Sequence, residues 1–308
     1  MKEIVFGAGE MGKRYCSECG GDTTILAFAD NDPAKWGKQF LGHRIINPES
    51  IQEEDYDRIV IAIYDLTADG CKTVLDILNQ LSGLNVPLSK IALPECVYSQ
   101  DDPRVDFVRR FAAILTENRI EGAAAECGVY RGHFTAYINK YLPLRQLYLF
   151  DTFEGFDDRD LELERNLEAI IRRKSDPIAW FSYGSADIAL LRCPHRERVI
   201  VQTGCVPETF SGLEGERFAF VSLDMDLYAP TLDALRFFAP RLTPGGVILL
   251  HDYYHSTFSG IKQAVDEFAK EFNFTRLPMG DHCSIAIVPT SALLQQSYRT
   301  GTSGGKEI

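Results

Sequence analysis

The chain has 308 residues, 45% of them hydrophobic, and a formal net charge of −12 at pH 7. This length exceeds one ordinary core and predicts two domains, and the apolar fraction argues against disorder. The negative charge argues against binding to nucleic acid, whose affinity comes largely from neutralised phosphates, and against docking on an anionic membrane. Because no apolar run approaches the roughly 18 residues of a membrane span, we expect no membrane partner.

Eight cysteines are scattered along the chain, several of them in apolar segments. This usage is typical of reduced, buried thiols and predicts a cytoplasmic protein. Cys16 and Cys19 form a C-x-x-C pair, but no second pair stands at a spacing suited to zinc. We interpret the pair as structural packing and not as a metal or redox site.

The first part of the chain alternates short apolar strands with amphipathic helices. The predicted strands cover residues 2–6, 25–30, 58–63 and 91–93. A helix is predicted at 68–82, where Val74, Leu78 and Leu81 share one face. The pattern predicts a small doubly wound, Rossmann-like domain over residues 1–97, followed by a polar linker at 98–106.

A glycine-spaced turn, GAGEMG, joins the first predicted strand to a helix. It contains Gly7, Gly9 and Gly12, and Asp30 follows eighteen residues past Gly12 at the end of the next strand. In this context the pattern fits the dinucleotide fingerprint, in which a pyrophosphate lies on the helix start and the carboxylate binds a ribose. Three interpretations stay open: a nucleotide or nucleotide-sugar site, an NAD(H) site, and a scaffold or dimerisation role.

A larger alternation of strands and helices predicts a second domain over residues 107–292, before a polar C-terminal tail at 293–308. Its predicted strands cover 122–129, 147–151, 198–204, 218–228, 247–254, 275–279 and 283–289. The charged, irregularly amphipathic segment 154–182 lies where an insertion would cover the strand ends. We predict that it forms a lid over a cofactor crevice.

The stretch AECGVYRGHFT, residues 125–135, follows an apolar run and contains Glu126, Gly128 and Gly132. Asp151 ends the next apolar run, nineteen residues past Gly132. In a parallel α/β sheet, glycines let the backbone approach an adenosine cofactor, and a carboxylate at the next strand end accepts both ribose hydroxyls. The two motifs together predict such a crevice.

Four motifs stand in order along the second domain: AECGVYRGHFT, LYLFDTFEGF, SLDMDLYAPTLDAL and PGGVILLHDYYHSTFSGIKQAVDEF. Together they resemble the macrocin O-methyltransferase family, the TylF/MycF/NovP group, over about residues 105–290. The resemblance implies a class I methyltransferase fold, with a mostly parallel seven-stranded sheet and an antiparallel last hairpin. It also implies an enzyme that methylates sugar hydroxyls with S-adenosylmethionine.

The resemblance also implies, by position, which residues bind S-adenosylmethionine. They are Glu126, Gly128, Tyr130, Gly132, Asp151, Thr152, Gly204, Cys205 and Asp224. Among them, Glu126 and the two glycines are expected to line the methionine part, and Asp151 to hold the ribose hydroxyls. Gly204 and Cys205 are expected near the adenine.

Members of this family use Mg²⁺, held by an aspartate at one strand end and an acidic pair at the next. The first position maps to Asp224 and the pair to His251 and Asp252. The chain departs from the family here, because imidazole is a poor partner for Mg²⁺. The departure leaves the identity of a divalent metal, and its use, open.

A sugar hydroxyl must lose its proton during methyl transfer, and two routes stay open. In the first, Asp224, His251 and Asp252 hold a metal that activates the hydroxyl. In the second, no metal binds, and His251 or His255 acts as the general base. Asp226 shares strand parity with Asp224 and is expected in the crevice if the strand continues that far; the alternative is that it caps the next helix.

The predicted substrate is a small-molecule sugar or glycoside: a natural-product glycoside, a nucleotide-sugar or a surface glycan. One alternative is an NAD-dependent oxidoreductase of a sugar built on the first domain, although no Tyr-x-x-x-Lys motif marks a hydride site. Another is a non-catalytic nucleotide-binding protein. Homo-oligomerisation is compatible with the sequence but is not specified by it.

Overall fold

The computed structural model describes residues 1–63, 68–94, 102–167, 184–257 and 259–290. The chain divides into two compact units, Met1–Val97 and Tyr98–Ile308. The predicted tail at 293–308, the start of the predicted linker and most of the predicted lid lie outside the described residues. No helix among the described residues is long and apolar enough to cross a bilayer.

The first unit is a six-stranded sheet with order β3-β4-β2-β1-β5-β6, in which only the β3–β4 pair is antiparallel. Its strands are β1 (Lys2–Phe6), β2 (Thr24–Ala29), β3 (Gln39–Phe40), β4 (His43–Ile46), β5 (Arg58–Ile61) and β6 (Ile91–Ala92), and its helices are α1 (Glu10–Glu18) and α2 (Ala68–Gly83). The central strand β1 buries Ile4, Val5 and Phe6 almost completely. Burial on both faces explains why this strand is apolar throughout.

The second unit is a seven-stranded sheet with order β12-β13-β11-β10-β7-β8-β9. Its strands are β7 (Ala123–Cys127), β8 (Leu147–Asp151), β9 (Val199–Thr203), β10 (Phe218–Leu223), β11 (Leu242–Leu250), β12 (Phe274–Pro278) and β13 (Ile285–Pro289). Strand β13 pairs antiparallel with β11 and β12, and the other neighbours are parallel. The predicted α/β fold, with its antiparallel last hairpin, is confirmed.

Six helices accompany this sheet within the described residues. They are α3 (Pro103–Glu117), α4 (His133–Tyr141), α5 (Asp158–Asn166), α6 (Ala186–Arg192), α7 (Tyr228–Phe238) and α8 (Gly260–Phe268). Helix α3 begins inside the stretch assigned to a linker, because the Asp102 side chain caps it and Pro103 stands in the first turn, where no N–H is needed. The described part of the predicted lid is α5.

Both faces of the seven-stranded sheet are covered by apolar side chains. Alternate residues of one strand enter different clusters: Phe150 packs on one face with Phe238, whereas Leu149 packs on the other with Phe220. Rings on the first face meet edge to face, as Phe150 and Phe238 do at 5.9 Å between centroids. This double burial is what makes the central strands near-continuous apolar runs.

The carboxyl ends of the parallel strands meet at one edge of this sheet. The backbone N–H of Gly128 bonds to the Phe150 carbonyl, and that of Asp224 to the Cys127 carbonyl, at 3.0 and 2.9 Å. These bonds align the residues that follow β7, β8 and β10, and a matching bond from His251 aligns the residue that follows β11. The predicted site residues of the second unit therefore emerge side by side.

Candidate active site

The loop after β7 approaches the neighbouring strand end so closely that only glycine fits. A Cβ at Gly128 would lie 2.0 Å from the Asp224 carbonyl oxygen, and one at Gly132 would lie 2.5 Å from the Ala189 Cα. Both glycines also have positive φ, 84° and 72°. These glycines are therefore required by contacts within the protein, whereas the sequence pattern attributed them to the approach of a cofactor.

Asp151 lies at the end of β8 and turns its carboxylate toward this loop. Its Oδ2 accepts the backbone N–H groups of Val129 and Tyr130 at 2.6 and 2.7 Å, and its Oδ1 accepts that of Phe153 at 2.6 Å. No described cationic side chain pairs with it, and it is only partly buried. Gly204, after β9, donates its backbone N–H to the Asp151 carbonyl at 3.0 Å. Ribose binding by Asp151 stays a prediction.

Glu126 is turned into the protein. It is 2% exposed, and it accepts a hydrogen bond from the Thr135 hydroxyl on α4. Burial raises the pKa of its carboxyl to about 8, although the bond from Thr135 opposes the shift. Glu126 therefore joins β7 to the first turn of α4, and its predicted contact with the methionine part of a cofactor stays untested.

Four residues with side chains adopt the left-handed backbone conformation at this edge. Tyr130, Phe153, Asp226 and Asp252 have φ values of 53°, 56°, 62° and 58°. This region is costly for residues other than glycine and persists where the surrounding structure holds it, often at functional sites. The four strained residues follow four different strands, β7, β8, β10 and β11, at the same edge.

Three aspartates form an acidic cluster at this edge: Asp224, Asp226 and Asp252. One carboxylate oxygen of each lies within 4.8 Å of the others. The pKa of Asp226 is raised well above its usual value, chiefly by burial and by the charges of the other two aspartates. Three carboxylates this close repel one another and are chemically suited to an oxygen-preferring divalent cation.

Asp226 reaches this cluster by a route that differs from the one predicted. Strand β10 ends at Leu223, so strand parity does not orient Asp226; the left-handed turn does. The alternative, that Asp226 caps the next helix, is wrong, because the N-cap residue of α7 is Leu227. The turn therefore brings both aspartates of the D-x-D sequence to Asp252.

His251 lies between two of these aspartates. Its Nδ1 is 3.0 Å from Asp224 Oδ1 and 3.1 Å from Asp252 Oδ2, in ion-pair contact but without the alignment of a hydrogen bond. Burial opposes protonation, but the Asp224 carboxylate outweighs it and raises the pKa of His251 to about 11. His251 therefore carries a positive charge at neutral pH. In turn His251 holds the pKa of Asp224 low, although burial opposes this.

Arg104, the second residue of α3, is a site residue that the sequence analysis missed. Its guanidinium lies 2.9 Å from Asp224 Oδ2 and 3.1 Å from Asp102 Oδ2, and only 12% of its side chain is exposed. Arg104 and Asp224 are 120 positions apart in the chain. Nothing in the local pattern of α3 marks an arginine that reaches a distant strand end.

Cys283, just before β13, is a second residue that the sequence analysis did not assign to the site. One ligand atom each from His251, Asp252 and Cys283 lie within 4.8 Å of one another. His255 belongs to neither of these groups: its Nδ1 accepts the Thr257 backbone N–H at 3.3 Å. The structure therefore brings three of the predicted residues, Asp224, Asp226 and Asp252, together with His251, and His255 is in neither group.

Cys205 and Thr152, both predicted to bind the cofactor, lie at the ends of β9 and β8. The Cys205 thiol lies 3.3 Å from Asp157 Oδ2, at the start of α5. The Thr152 hydroxyl bonds to the Gly155 carbonyl within its own turn. Both side chains therefore contact the segment that joins Asp151, the last residue of β8, to α5.

The first unit contains a glycine loop of its own. Asp30 Oδ2 accepts the Ala8 backbone N–H at 2.9 Å and the Lys35 ammonium at 2.8 Å. Asp30 is 9% exposed, and Lys35 also reaches the Ala8 carbonyl at 3.3 Å. A Cβ at Gly12 would lie 2.2 Å from the Gly7 carbonyl oxygen, whereas one at Gly9 would meet nothing within 4 Å.

The strand order of the second unit and the position of its glycine loop and acidic cluster define a class I methyltransferase fold. The chain belongs to the macrocin-O-methyltransferase (TylF) family, whose model matches residues 94–282. A second family model, described as C2185-like, N-terminal, matches residues 1–86. The predicted family membership is confirmed.

Curated relatives resemble about half of the chain. One is the 8-demethyl-8-(2,3-dimethoxy-alpha-L-rhamnosyl)-tetracenomycin-C 4′-O-methyltransferase of Streptomyces olivaceus, 27% identical over 49% of this chain and 60% of the relative. Another is the mycinamicin III 3″-O-methyltransferase of Micromonospora griseorubida, 26% identical over 48% and 61%. The chain thus spans only about three fifths of their length.

Among solved structures, the O-methyltransferase NovP aligns with a TM-score of 0.50 and 18% identity. The alignment covers 71% of this chain and 99% of that one. At this identity the likeness shows the fold alone.

Proposed function

We propose that the chain is an S-adenosylmethionine-dependent O-methyltransferase that acts on a hydroxyl of a sugar. The observation that carries the proposal is the family match over residues 94–282, because it falls on the unit that bears the glycine loop and the acidic cluster. The relatives' names support a glycoside as the acceptor, since two of them methylate a sugar attached to a natural product. Free sugars, nucleotide-sugars and surface glycans are the same chemical class of acceptor.

For the cofactor, we propose that Asp151 accepts the ribose hydroxyls. Backbone N–H groups from Val129, Tyr130 and Phe153 hold its carboxylate in place, so its orientation is fixed before a ligand arrives. A carboxylate that is held only by neutral donors keeps its full charge for hydroxyl donors. Gly204, bonded to the Asp151 carbonyl, supports placing the adenine beside the loop after β9.

For the acceptor side, we propose a divalent cation held by oxygen atoms of Asp224, Asp226 and Asp252. This set differs from the predicted one in having Asp226 in place of His251, because one carboxylate oxygen of each of the three aspartates lies within 4.8 Å of the others. A bound cation would lower the pKa of the sugar hydroxyl. Arg104 engages Asp224 Oδ2 and His251 Nδ1 lies 3.0 Å from Asp224 Oδ1, so a cation at Oδ1 would share that oxygen with the His251 ring.

The high pKa of His251 disfavours it as the general base. An imidazole that already carries a proton cannot accept another, so within the route without a metal His255 is the remaining candidate for the base. In the transfer itself, a C–O bond forms as the C–S bond of the sulfonium breaks and S-adenosylhomocysteine leaves, and the hydroxyl proton passes to a carboxylate of the acidic cluster. The site residues orient the hydroxyl and exclude water from this displacement.

The test is calorimetry with S-adenosylhomocysteine, followed by mass spectrometry of methyl transfer to a panel of rhamnosides and nucleotide-linked deoxysugars. We expect binding to the wild type and transfer to at least one acceptor. Asp224→Asn should lower kcat by about a hundredfold or more. Asp158→Asn, at an exposed position, is the control. A wild type without binding heat would refute the proposal.

For the first unit, we propose a supporting role without NAD(H). The Lys35 ammonium already pairs with Asp30, whose carboxylate the dinucleotide fingerprint would assign to a ribose. The competing oxidoreductase predicts enhanced NADH fluorescence that Gly9→Val abolishes. The competing non-catalytic protein predicts S-adenosylhomocysteine binding with no transfer to any acceptor and no effect of Asp224→Asn.

A further inference from the structure

Glu164, on helix α5, is a buried carboxylate that the proposed mechanism does not use. It is 0% exposed, and it accepts a hydrogen bond from the Tyr228 backbone N–H. Its Oε2 is also buried and makes no hydrogen bond to any residue that the structure describes. A buried carboxylate is unfavourable unless donors or positive charge surround it, so the placement of Glu164 requires an explanation.

The groups around this carboxylate are the first turns of two helices. Tyr228 begins α7, and Leu227 before it supplies no side-chain cap. Gly260 begins α8, where a Cβ would lie 2.5 Å from both carboxylate oxygens, and Ser259 before it makes no cap bond. Helix N-termini carry unpaired N–H groups and partial positive charge. Glu164 therefore caps α7 from another element and lies against the start of α8.

Helix α7 begins two residues after Asp226, and helix α8 begins eight residues after Asp252. The turn after β10 carries Asp224 and Asp226 into α7, and the segment after β11 carries His251 and Asp252 toward α8. A single carboxylate, that of Glu164, thus contacts the chain downstream of both groups. Its loss would free the ends of two strained turns at once.

The other end of α5 meets the opposite side of the crevice. Asp157 caps α5 by accepting the Arg159 backbone N–H at 2.8 Å, and the Cys205 thiol lies 3.3 Å from it. Cys205 follows Gly204, which bonds to Asp151. Helix α5 therefore extends from the loop proposed to hold the adenine to the helices that follow the acidic cluster.

We propose that Glu164 is a positioning residue for the acceptor side of the site: by capping α7 and contacting the start of α8, it holds Asp224, Asp226 and Asp252 together. Its catalytic consequence rests on the proposed function, whereas its effect on the two turns does not. Glu164 is bonded to neither the glycine loop nor Asp151 among the described residues, so its substitution should affect the acceptor side of the site and not the cofactor side.

The first test compares amide hydrogen exchange in Glu164→Gln and Glu164→Ala with that in Glu162→Gln, a control on the exposed face of the same helix. Loss of a helix cap should speed exchange in residues 224–230 and 252–262 by about tenfold in Glu164→Ala. Glu164→Gln keeps one acceptor and should lie between. Exchange equal to that of the control would overturn the proposal.

The second test distinguishes positioning from mere stabilisation. Glu164→Gln should lower kcat and weaken Mn²⁺ binding, each by about tenfold, while the Kd of S-adenosylhomocysteine stays within about twofold of wild type. Glu164→Asp, which keeps the charge, should restore part of both. Faster exchange with unchanged kcat and Mn²⁺ affinity would show a purely structural contact and overturn the positioning role.

Two outcomes separate this proposal from the proposed function. A wild type that neither binds S-adenosylhomocysteine nor transfers a methyl group would refute the function, and exchange and Mn²⁺ binding would still decide the role of Glu164. If Glu164→Ala does not fold, Glu164→Gln and Glu164→Asp carry the comparison against Glu162→Gln.

Discussion

The two units contain the same device, a glycine loop capped by a carboxylate from the next strand, but they use it differently. In the first unit Asp30 accepts one loop N–H and a lysine ammonium. In the second unit Asp151 accepts two loop N–H groups and has no cationic partner among the described side chains. The Asp30 carboxylate is paired with a lysine of its own unit and stabilises the fold. Among the described residues Asp151 is held by neutral N–H groups, so its charge stays available for a ligand.

Gly128 in the second loop and Gly9 in the first should differ in how much a substitution destabilises the protein. Gly128→Ala should destabilise the second unit by more than about 3 kcal/mol, because the new Cβ would meet the Asp224 carbonyl at 2.0 Å and φ is positive. Gly9→Ala meets no atom within 4 Å and should cost less than about 1 kcal/mol. Thermal unfolding of both variants checks the contrast, which equal losses would break.

The two capping carboxylates should differ in their effect on cofactor affinity. Asp151→Ala should weaken S-adenosylhomocysteine binding by about ten- to a hundredfold, because two hydroxyls lose a charged acceptor. Asp30→Ala should leave that affinity unchanged. Calorimetry on both variants tests the difference; full affinity in Asp151→Ala would remove the carboxylate from the binding site.

The two units should differ in how their stability depends on pH, because of the residue two positions before the first glycine of each loop. The first unit has Val5 there, and the second has Glu126, whose carboxyl pKa burial raises to about 8. When folding raises the pKa of a carboxyl, the folded protein loses stability as the pH rises from the usual pKa, about 4.5, through the raised value, about 8. Glu126→Gln should remove this decline between pH 5 and 9, measured by denaturant unfolding; Glu121→Gln, at an exposed position, is the control.

The smallest expected effect concerns Lys35. Burial opposes ionisation of Asp30, but bonds from Lys35 and from backbone N–H groups lower its pKa. The pair therefore stabilises the first unit at pH values above the usual carboxyl pKa. This stabilisation is lost as the pH falls through the lowered pKa of Asp30. Because 38% of the Lys35 side chain is exposed, Lys35→Ala should cost less than about 1 kcal/mol near neutral pH. Unfolding at pH 7 and pH 3 measures it, and an equal cost at both would refute the assignment.

The fold of the second unit could be predicted because its signals are local. Apolar runs mark the central strands, and the Asp151 motif follows a glycine loop at a spacing that one helix and one strand determine. The site could be predicted only where residues lie at strand ends, as Asp224 and Asp252 do. Arg104 and Glu164 act across 120 and 64 positions, and no local pattern specifies such contacts.

Asp226 shows the limit of pattern reasoning most clearly. Its inclusion in the crevice followed from strand parity, yet the strand ends before it and a left-handed turn orients it. The hydrophobic period and the motif spacing do not reveal where a strand ends. Here a strained turn follows the strand, and tertiary contacts, which the local sequence does not show, offset its cost. The position was right, and the stated reason was not.

The approach of Gly128 to the Asp224 carbonyl, so close that a Cβ would lie 2.0 Å from the oxygen, has a consequence for anyone who seeks to alter this protein. The loop with Gly128, which would bind the methyl donor, contacts the turn with Asp224, which would activate the acceptor hydroxyl, so a shift in one segment requires a shift in the other. Substitutions in the two segments should combine non-additively. A library intended to change the recipient should vary both segments as a single block.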